Sequence, residues 1–169
     1  MIAFRSLRSI VSNRRATRTP IKLFHSYTQW PFLNEEHLSV ASLCRTFADE
    51  ELVPIAAKGD KEHLYPAEAM KKLGELGMMG IAMPTEFGGS GMDTLSYAIA
   101  MEEISRGDAS SGTIMSVNNS LYCYPIDKFG SPAQKEQFLT PCASGAALGC
   151  FMLSEPGVEL SFITIKYLY

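Results

Sequence analysis

The chain has 169 residues, enough for one ordinary domain with a tail. With 46% apolar and 20% charged residues it is neither a disordered nor a collagen-like chain, and no run reaches the roughly 18 apolar residues that span a bilayer. The net charge of −3 is unevenly spread: residues 1–34 hold six basic residues and no acid, and all 18 acids follow with nine basic residues. An acidic body of this kind does not attract nucleic acid.

Residues 1–26 are Arg-rich, Ser/Thr-rich and free of acids, with Ile2, Leu7, Ile10 and Val11 near helical spacing. That pattern predicts a mitochondrial transit peptide cleaved near residues 24–27, and so delivery to the matrix. A secretory signal would need a continuous apolar stretch of roughly 7–15 residues, which is absent. The competing reading is a basic arm for nucleic acid or anionic lipid, but the segment has no lysine cluster.

The body reads as helices. Helix one is expected over 34–52: Asn34 caps it, and Val40, Cys44, Phe47 and Ala48 form its apolar stripe, with Pro54 ending it. Pro66 opens a second helix whose buried face carries Met70, Leu73, Leu76 and Gly77, and Gly77 and Gly80 stop it. Residues 83–91, with three glycines in four positions, form a loop. It lacks the preceding strand, the G-x-G-x-x-G spacing and the trailing Lys-Ser/Thr of a phosphate cradle. Helix three, 93–105, is apolar around much of its circumference. Its adjacent Glu102 and Glu103 diverge by about 100° and read as structural acids rather than a catalytic pair.

Helix four, 109–128, is capped by Asp108 or Ser110 and shows a stripe of Ile114, Val117, Leu121 and Tyr124, with Pro125 kinking or shortening its end. Helix five runs from the Ser131-Pro132 cap to about Thr140, where Pro141 stops it. Residues 146–153 then form a short apolar run that predicts a first β-strand, followed by a turn at 154–157. The expected fold is therefore mainly α, about five helices over 34–145, with at most one or two C-terminal strands. Cys44, Cys123, Cys142 and Cys150 show no zinc-ligand spacing and read as small apolar packing residues in a reducing compartment; no metal site is expected.

Several blocks together carry a resemblance. They are residues 47–56 (FADEELVPIA), 60–63 (DKEH), 80–84 (GIAMP) with 86–89 (EFGG) and Gly91, 97–106 (YAIAMEEISR), 115–122 (MSVNNSLY) and 149–157 (GCFMLSEPG). In order and spacing they resemble the N-terminal helical domain of acyl-CoA dehydrogenases, most of all the short-chain (butyryl-CoA) type. The resemblance implies a helical N-terminal domain, then a middle β-domain beginning at about residue 146, then a C-terminal helical bundle. It also implies FAD as cofactor, an acyl-CoA thioester as substrate and electron-transfer flavoprotein as electron acceptor. In that family a glutamate takes the α-proton and the flavin takes the β-hydride. The protein's part is to hold the base close and orient the flavin.

Carried over by position, Phe151, Met152, Leu153 and Ser154 match the family strand that lies against the flavin. Ile114 and Val117 match positions lining the acyl-chain pocket, although by spacing alone both also read as ordinary core residues. The family motif continues past Ser-Glu-Pro-Gly with small residues and a Ser-Asp pair. Here Val158-Glu159-Leu160-Ser161-Phe162 follows instead, and residues 158–169 read as a divergent tail. The glutamate base belongs to a part of the family fold not represented here, so no catalytic residue is assigned. Without the surfaces that the helices pack against, the chain is expected to be marginally stable and to self-associate or pair with full-length subunits. The activity expected by resemblance is oxidation of short-chain acyl-CoA in mitochondrial fatty-acid β-oxidation, with this chain an inactive fragment. The alternatives are a non-catalytic helical interaction module or a translation product without function.

Overall fold

The computed structural model describes Tyr27 and residues 30–152. Among these residues the chain forms five helical rods and no strand. The first rod, α1, joins Glu35–Phe47, a π-helical turn at Ala48–Leu52, and Val53–Glu62. The second, α2, is Ala67–Glu75, and the third, α3, is Thr94–Gly107. The fourth, α4, joins Ala109–Ser116, a π-helical stretch Val117–Cys123, and Tyr124–Phe129. The fifth, α5, joins Pro132–Gln134, a π-helical turn Lys135–Leu139, and Thr140–Ala143. Short 3-10 turns at Met78–Gly80 and Thr85–Phe87 lie between α2 and α3.

The helix starts follow from their capping side chains. Asn34 accepts from the His37 amide while His37 Nδ1 accepts from the Asn34 amide, which closes a capping box at 2.9 and 3.2 Å. Asp93, Asp108 and Ser131 cap α3, α4 and α5 in the same way, each accepting from the amide three residues on. Pro66 is the residue before α2 rather than its first, and Gly77, at φ 76°, takes the left-handed turn after it.

Two expectations about proline fail, and a third proline shows the reason as well. Pro54 and Pro141 were expected to end their helices, yet each rod continues past its proline, as the rod expected over 109–128 continues past Pro125. In each case a π-helical stretch ends two residues before the proline. The residue in front of the ring donates five residues back: Val53 to Ala48, Tyr124 to Asn119, and Thr140 to Lys135. A proline lacks the amide for the next bond, and its ring collides with the carbonyl four residues back in a regular α-helix. The wider turn makes room for the ring. A carbonyl in the preceding turn then loses its donor. The residues four and five before each proline (Asp49 and Glu50, Ser120 and Leu121, Glu136 and Gln137) are all exposed, so water takes that place.

The main core lies between α1, α2 and α3 and the start of α4. Val40, Cys44, Phe47, Ala48 and Leu52 meet Met70, Leu73, Met78, Met79, Ile99, Ile104 and Met115. The helix-one stripe is buried as expected. A smaller cluster of Met83, Cys123, Leu139, Cys142 and Ala143 joins α4 to α5, with Phe87, Tyr122 and Ile126 packed on it. Two glycines draw α2 and the end of α5 together: a Cβ on Gly74 would lie 2.9 Å from Gly145 Cα.

The strand expected over 146–153 does not form as far as Met152; Leu153 and the rest of the chain lie outside the described residues. An isolated strand has no ladder partner for its backbone groups. They are met instead by the helical body: the Ala147 amide donates to Pro141 O at 2.9 Å and the Gly149 amide to Asn118 Oδ1 at 2.8 Å.

Candidate functional site

Ile114 and Val117, the expected acyl-pocket residues, lie on α4. Its first turn is tightly held: Asp108 Oδ2 accepts from the Ser111 amide at 2.9 Å and from the Ser111 hydroxyl at 2.6 Å. Small residues there permit close packing on α3. A Cβ on Gly112 would lie 2.1 Å from Ser105 Oγ.

The expected apolar stripe of α4 is not its buried face. Ile114 and Val117 are half-buried, Ile114 resting on the main core, while Leu121 and Tyr124 are exposed. The buried face instead carries Met115, Asn118, Asn119 and Cys123. Each of the two asparagines meets three backbone groups. Asn118 Nδ2 donates to Met79 O at 2.7 Å and to Cys142 O at 3.1 Å, and its Oδ1 accepts from Gly149. Asn119 Nδ2 donates to Met78 O at 3.0 Å and to Met115 O at 2.9 Å, and its Oδ1 accepts from the Ile81 amide at 3.0 Å. Buried amides are tolerated when satisfied in this way. Reading the sequence missed both. The available signal was two consecutive asparagines, poor helix formers, deep inside a helix.

The segment expected to face a flavin leaves this helix directly. Gly149 lies against Tyr122, so closely that a Cβ would come 2.1 Å from the ring Cγ. Beyond it Phe151 and Met152 are 50% and 79% exposed. Leu153 and Ser154, the other two expected contacts, lie outside the described residues. The structure thus ties Gly149 to α4 through Asn118, and Phe151 and Met152 follow it as exposed residues.

The acids of α3 are committed elsewhere. Glu103 is 1% exposed and holds a forked pair with Arg45, with Arg45 Nε at 2.9 Å, and accepts from Arg106 Nε at 3.1 Å. Arg106 also donates to Asp49 at 2.8 Å. Burial alone would raise the Glu103 carboxyl, but the hydrogen bonds from Arg45 and Arg106 outweigh it and hold it below the ordinary glutamate range. Glu102 is exposed and accepts from the Tyr27 hydroxyl at 2.8 Å. Burial, and then that hydrogen bond, raises the tyrosine. Neither acid is placed to act as a base.

The thiols fit the packing reading. Burial pushes Cys44 and Cys123 up to about 12 and raises Cys142, while Cys150 is exposed. Among the described residues no group of His, Cys, Asp or Glu could hold a metal ion, and no helix is long and apolar enough to cross a membrane. A separate cleft of about 500 Å³ lies between the end of α1, the start of α2 and the start of α4, lined by Ile55, Lys58, His63, Leu64, Tyr65 and Asp108 among others. Neither Ile114 nor Val117 lines it.

Comparison with known proteins agrees with this arrangement. The family model described as acyl-CoA dehydrogenase, N-terminal domain, matches residues 34–146. The short-chain specific acyl-CoA dehydrogenase, mitochondrial, of Homo sapiens is 58% identical over 133 residues, 79% of this chain and 32% of that protein. Among solved structures, one reported for the electron transferring flavoprotein of Acidaminococcus fermentans contains a similar chain, with TM-score 0.71 and 39% identity, covering 74% of this chain and 33% of that one. Butyryl-CoA dehydrogenase from Megasphaera elsdenii is also similar, with TM-score 0.69 and 35% identity, covering 75% of this chain and 34% of its own. The chain thus spans about a third of the length of the curated relatives it matches. On its helical fold and the family match over residues 34–146, the chain belongs to the acyl-CoA dehydrogenase family, whose N-terminal helical domain it contains.

Proposed function

We propose that the chain supplies the helical N-terminal part of a flavin-dependent, short-chain acyl-CoA dehydrogenase of mitochondrial fatty-acid oxidation. The observation that supports this is the hydrogen bond from the Gly149 amide, two residues before Phe151, to Asn118 on the helix that bears Ile114 and Val117. In this reading Ile114 and Val117 form part of the wall for a short acyl chain. Phe151 and Met152 offer exposed apolar side chains to one side of a planar ring, which fits one edge of a flavin site. Leu153 and Ser154 complete that edge by family resemblance. FAD would supply the hydride acceptor, and this chain's residues would orient it and exclude water. Residues 1–26 serve as the transit peptide to the matrix, and electron-transfer flavoprotein takes the electrons from the complete enzyme.

In this reading no acid among the described residues near α4 serves as the base, and the chain alone is inactive. The test is the visible spectrum of the purified chain mixed with FAD, then with butyryl-CoA. Protein that stays colourless after desalting is the expected result. A retained yellow flavin that butyryl-CoA bleaches would overturn the assignment of inactivity.

A second reading, a non-catalytic interaction module, is favoured by one observation. Leu121 and Tyr124 on α4, Phe129 at its end and Phe138 on α5 are all exposed. Faces of this kind mark surfaces that pack on something else. Co-purification of the chain with full-length subunits, without flavin of its own, supports this reading.

A further inference from the structure

We infer that Asn118 is a positioning residue that fixes the flavin-facing segment to the acyl-pocket helix; this rests on the functional reading given above for residues 149–152. The argument begins with its hydrogen bonds. Asn118 is fully buried, and both its amide protons and its carbonyl oxygen are used, on three separate parts of the chain: Met79, Cys142 and Gly149. That set fixes the orientation of the side chain. Turned over, the amide would face two carbonyls with its oxygen and the Gly149 amide with its own N–H groups.

The geometry on the other side is equally restrictive. Gly149 lies so close to the Tyr122 ring that no side chain fits, so the backbone itself is pressed onto α4. Val117 is the residue next to Asn118, and Ile114 lies one turn back. A movement of α4 therefore carries the pocket residues and the start of the 149–152 segment together. Asn119 does not share this role, since its bonds hold Met78, Ile81 and Met115. The tie is specific to one of two adjacent and chemically identical side chains.

The experiment uses the full chain and two variants. Asn118→Leu keeps the volume and removes every bond. Asn118→Asp keeps the oxygen that accepts from Gly149 and, held as the neutral acid by burial against two carbonyls, leaves a single O–H donor in place of the two N–H groups. Hydrogen exchange of the Gly149 amide is read by NMR beside amides of α1 and α3. The expected result is about tenfold faster exchange of Gly149 in the leucine variant, the loss of roughly one net hydrogen bond, and rescue in the aspartate variant. A purely structural role predicts a proportional rise in α1 and α3 in both variants. That outcome, or unchanged exchange at Gly149, overturns the inference. If the leucine variant does not fold, a semisynthetic chain ligated at Cys142 with an ester in place of the Gly149 amide removes only the N–H. Its expected signature is loss of the Tyr122–Gly149 contact, and retention of that contact counts against the tie.

A fluorescence titration with FAD separates the two layers. Affinity weakened about tenfold in step with the Gly149 exchange supports the link to the flavin, and unchanged affinity refutes it. The titration reads weak binding that desalting would strip, and absence of saturable FAD binding by the wild-type chain overturns the flavin half of the inference alone. The exchange data then still decide whether Asn118 holds the segment.

Discussion

Glu103→Gln should be among the most damaging nearly isosteric changes in this domain. The side chain is 2% exposed and receives three N–H groups from Arg45 and Arg106, whose side chains are 26% and 32% exposed. Glutamine fills the same space but replaces one acceptor oxygen with an NH2 that faces a guanidinium donor. It also removes the negative charge from the bonds that remain. Breaking a buried ion pair typically costs about 3–5 kcal/mol, and a hydrogen bond to a charged group contributes about 1.5–3 kcal/mol. Both arginines reach water along a quarter to a third of their surface and can rehydrate, which puts the loss at about 2–3 kcal/mol. Against a total of about 5–15 kcal/mol for an ordinary domain, that is a large fraction.

Urea unfolding followed by circular dichroism at pH 7 should show the midpoint falling by about 1–2 M. The effect has a sign with pH. The folded carboxyl lies below its ordinary value, so its contribution is present above about pH 4.3 and is lost as pH falls through the folded value. The gap between wild type and Glu103→Gln should therefore narrow from pH 6 to pH 3. A loss under about 1 kcal/mol at pH 7, or a gap that stays constant down to pH 3, would refute the account of Glu103 as a buried, paired anion.

Other outcomes follow from single observations. A thiol reagent should label Cys150 at once, and Cys44, Cys123 and Cys142 only on unfolding, since those three are buried and raised; rapid labelling of two or more thiols would contradict the packing. Gly74→Ala should lower stability by about 1–3 kcal/mol in urea unfolding even though alanine favours helix, because its methyl would press on Gly145. Phe129→Ser, at a side chain 86% exposed, should change stability by less than about 0.5 kcal/mol while reducing self-association in analytical ultracentrifugation. Asp93→Asn should weaken the His37–Asp93 link at 2.9 Å; the amide of Ser96, and then His37, hold the Asp93 carboxyl down to about 2, so its contribution, present above the ordinary aspartate value, should fade on acidification toward pH 2.

The parts of the fold legible in the sequence are those set by short-range chemistry. Asn34, Asp93, Asp108 and Ser131 cap helices because each side chain needs only an amide three residues away. The stripe of α1 was legible because its apolar residues are also its packing residues. The prolines were misread because the rule that they end helices assumes regular α geometry, and a π-turn suspends it. The strand was misread because an apolar run reports burial or β-propensity but not whether a partner strand exists. Of the expected site, Ile114 and Val117 share α4 with Asn118, which holds Gly149 two residues before Phe151. Asn118 and Asn119 are marked only as two poor helix formers inside a helix; their partners are backbone atoms, most of them 24 to 41 residues away, which carry no sequence signal.

The inverted character of α4 connects these points. A helix that answered only to this domain would bury Leu121 and Tyr124 and turn its asparagines to water, since burying a leucine-sized side chain contributes about 1.5–3 kcal/mol. This helix does the reverse: it satisfies six backbone bonds through two buried amides and leaves Leu121 and Tyr124 exposed. Well-formed hydrogen bonds make the buried amides tolerable, at about 0.5–1.5 kcal/mol net each, but they give no reason for the outer stripe to be apolar. That reason has to come from a surface or ligand meeting the outer face. The half-buried pair Ile114 and Val117 lies at the start of the same stripe, and Gly149 packs on Tyr122 next to it. On the proposed reading, an apolar stripe held from behind by polar ties is what a wall for an acyl chain would require: fixed in position, and left free on the side that receives it.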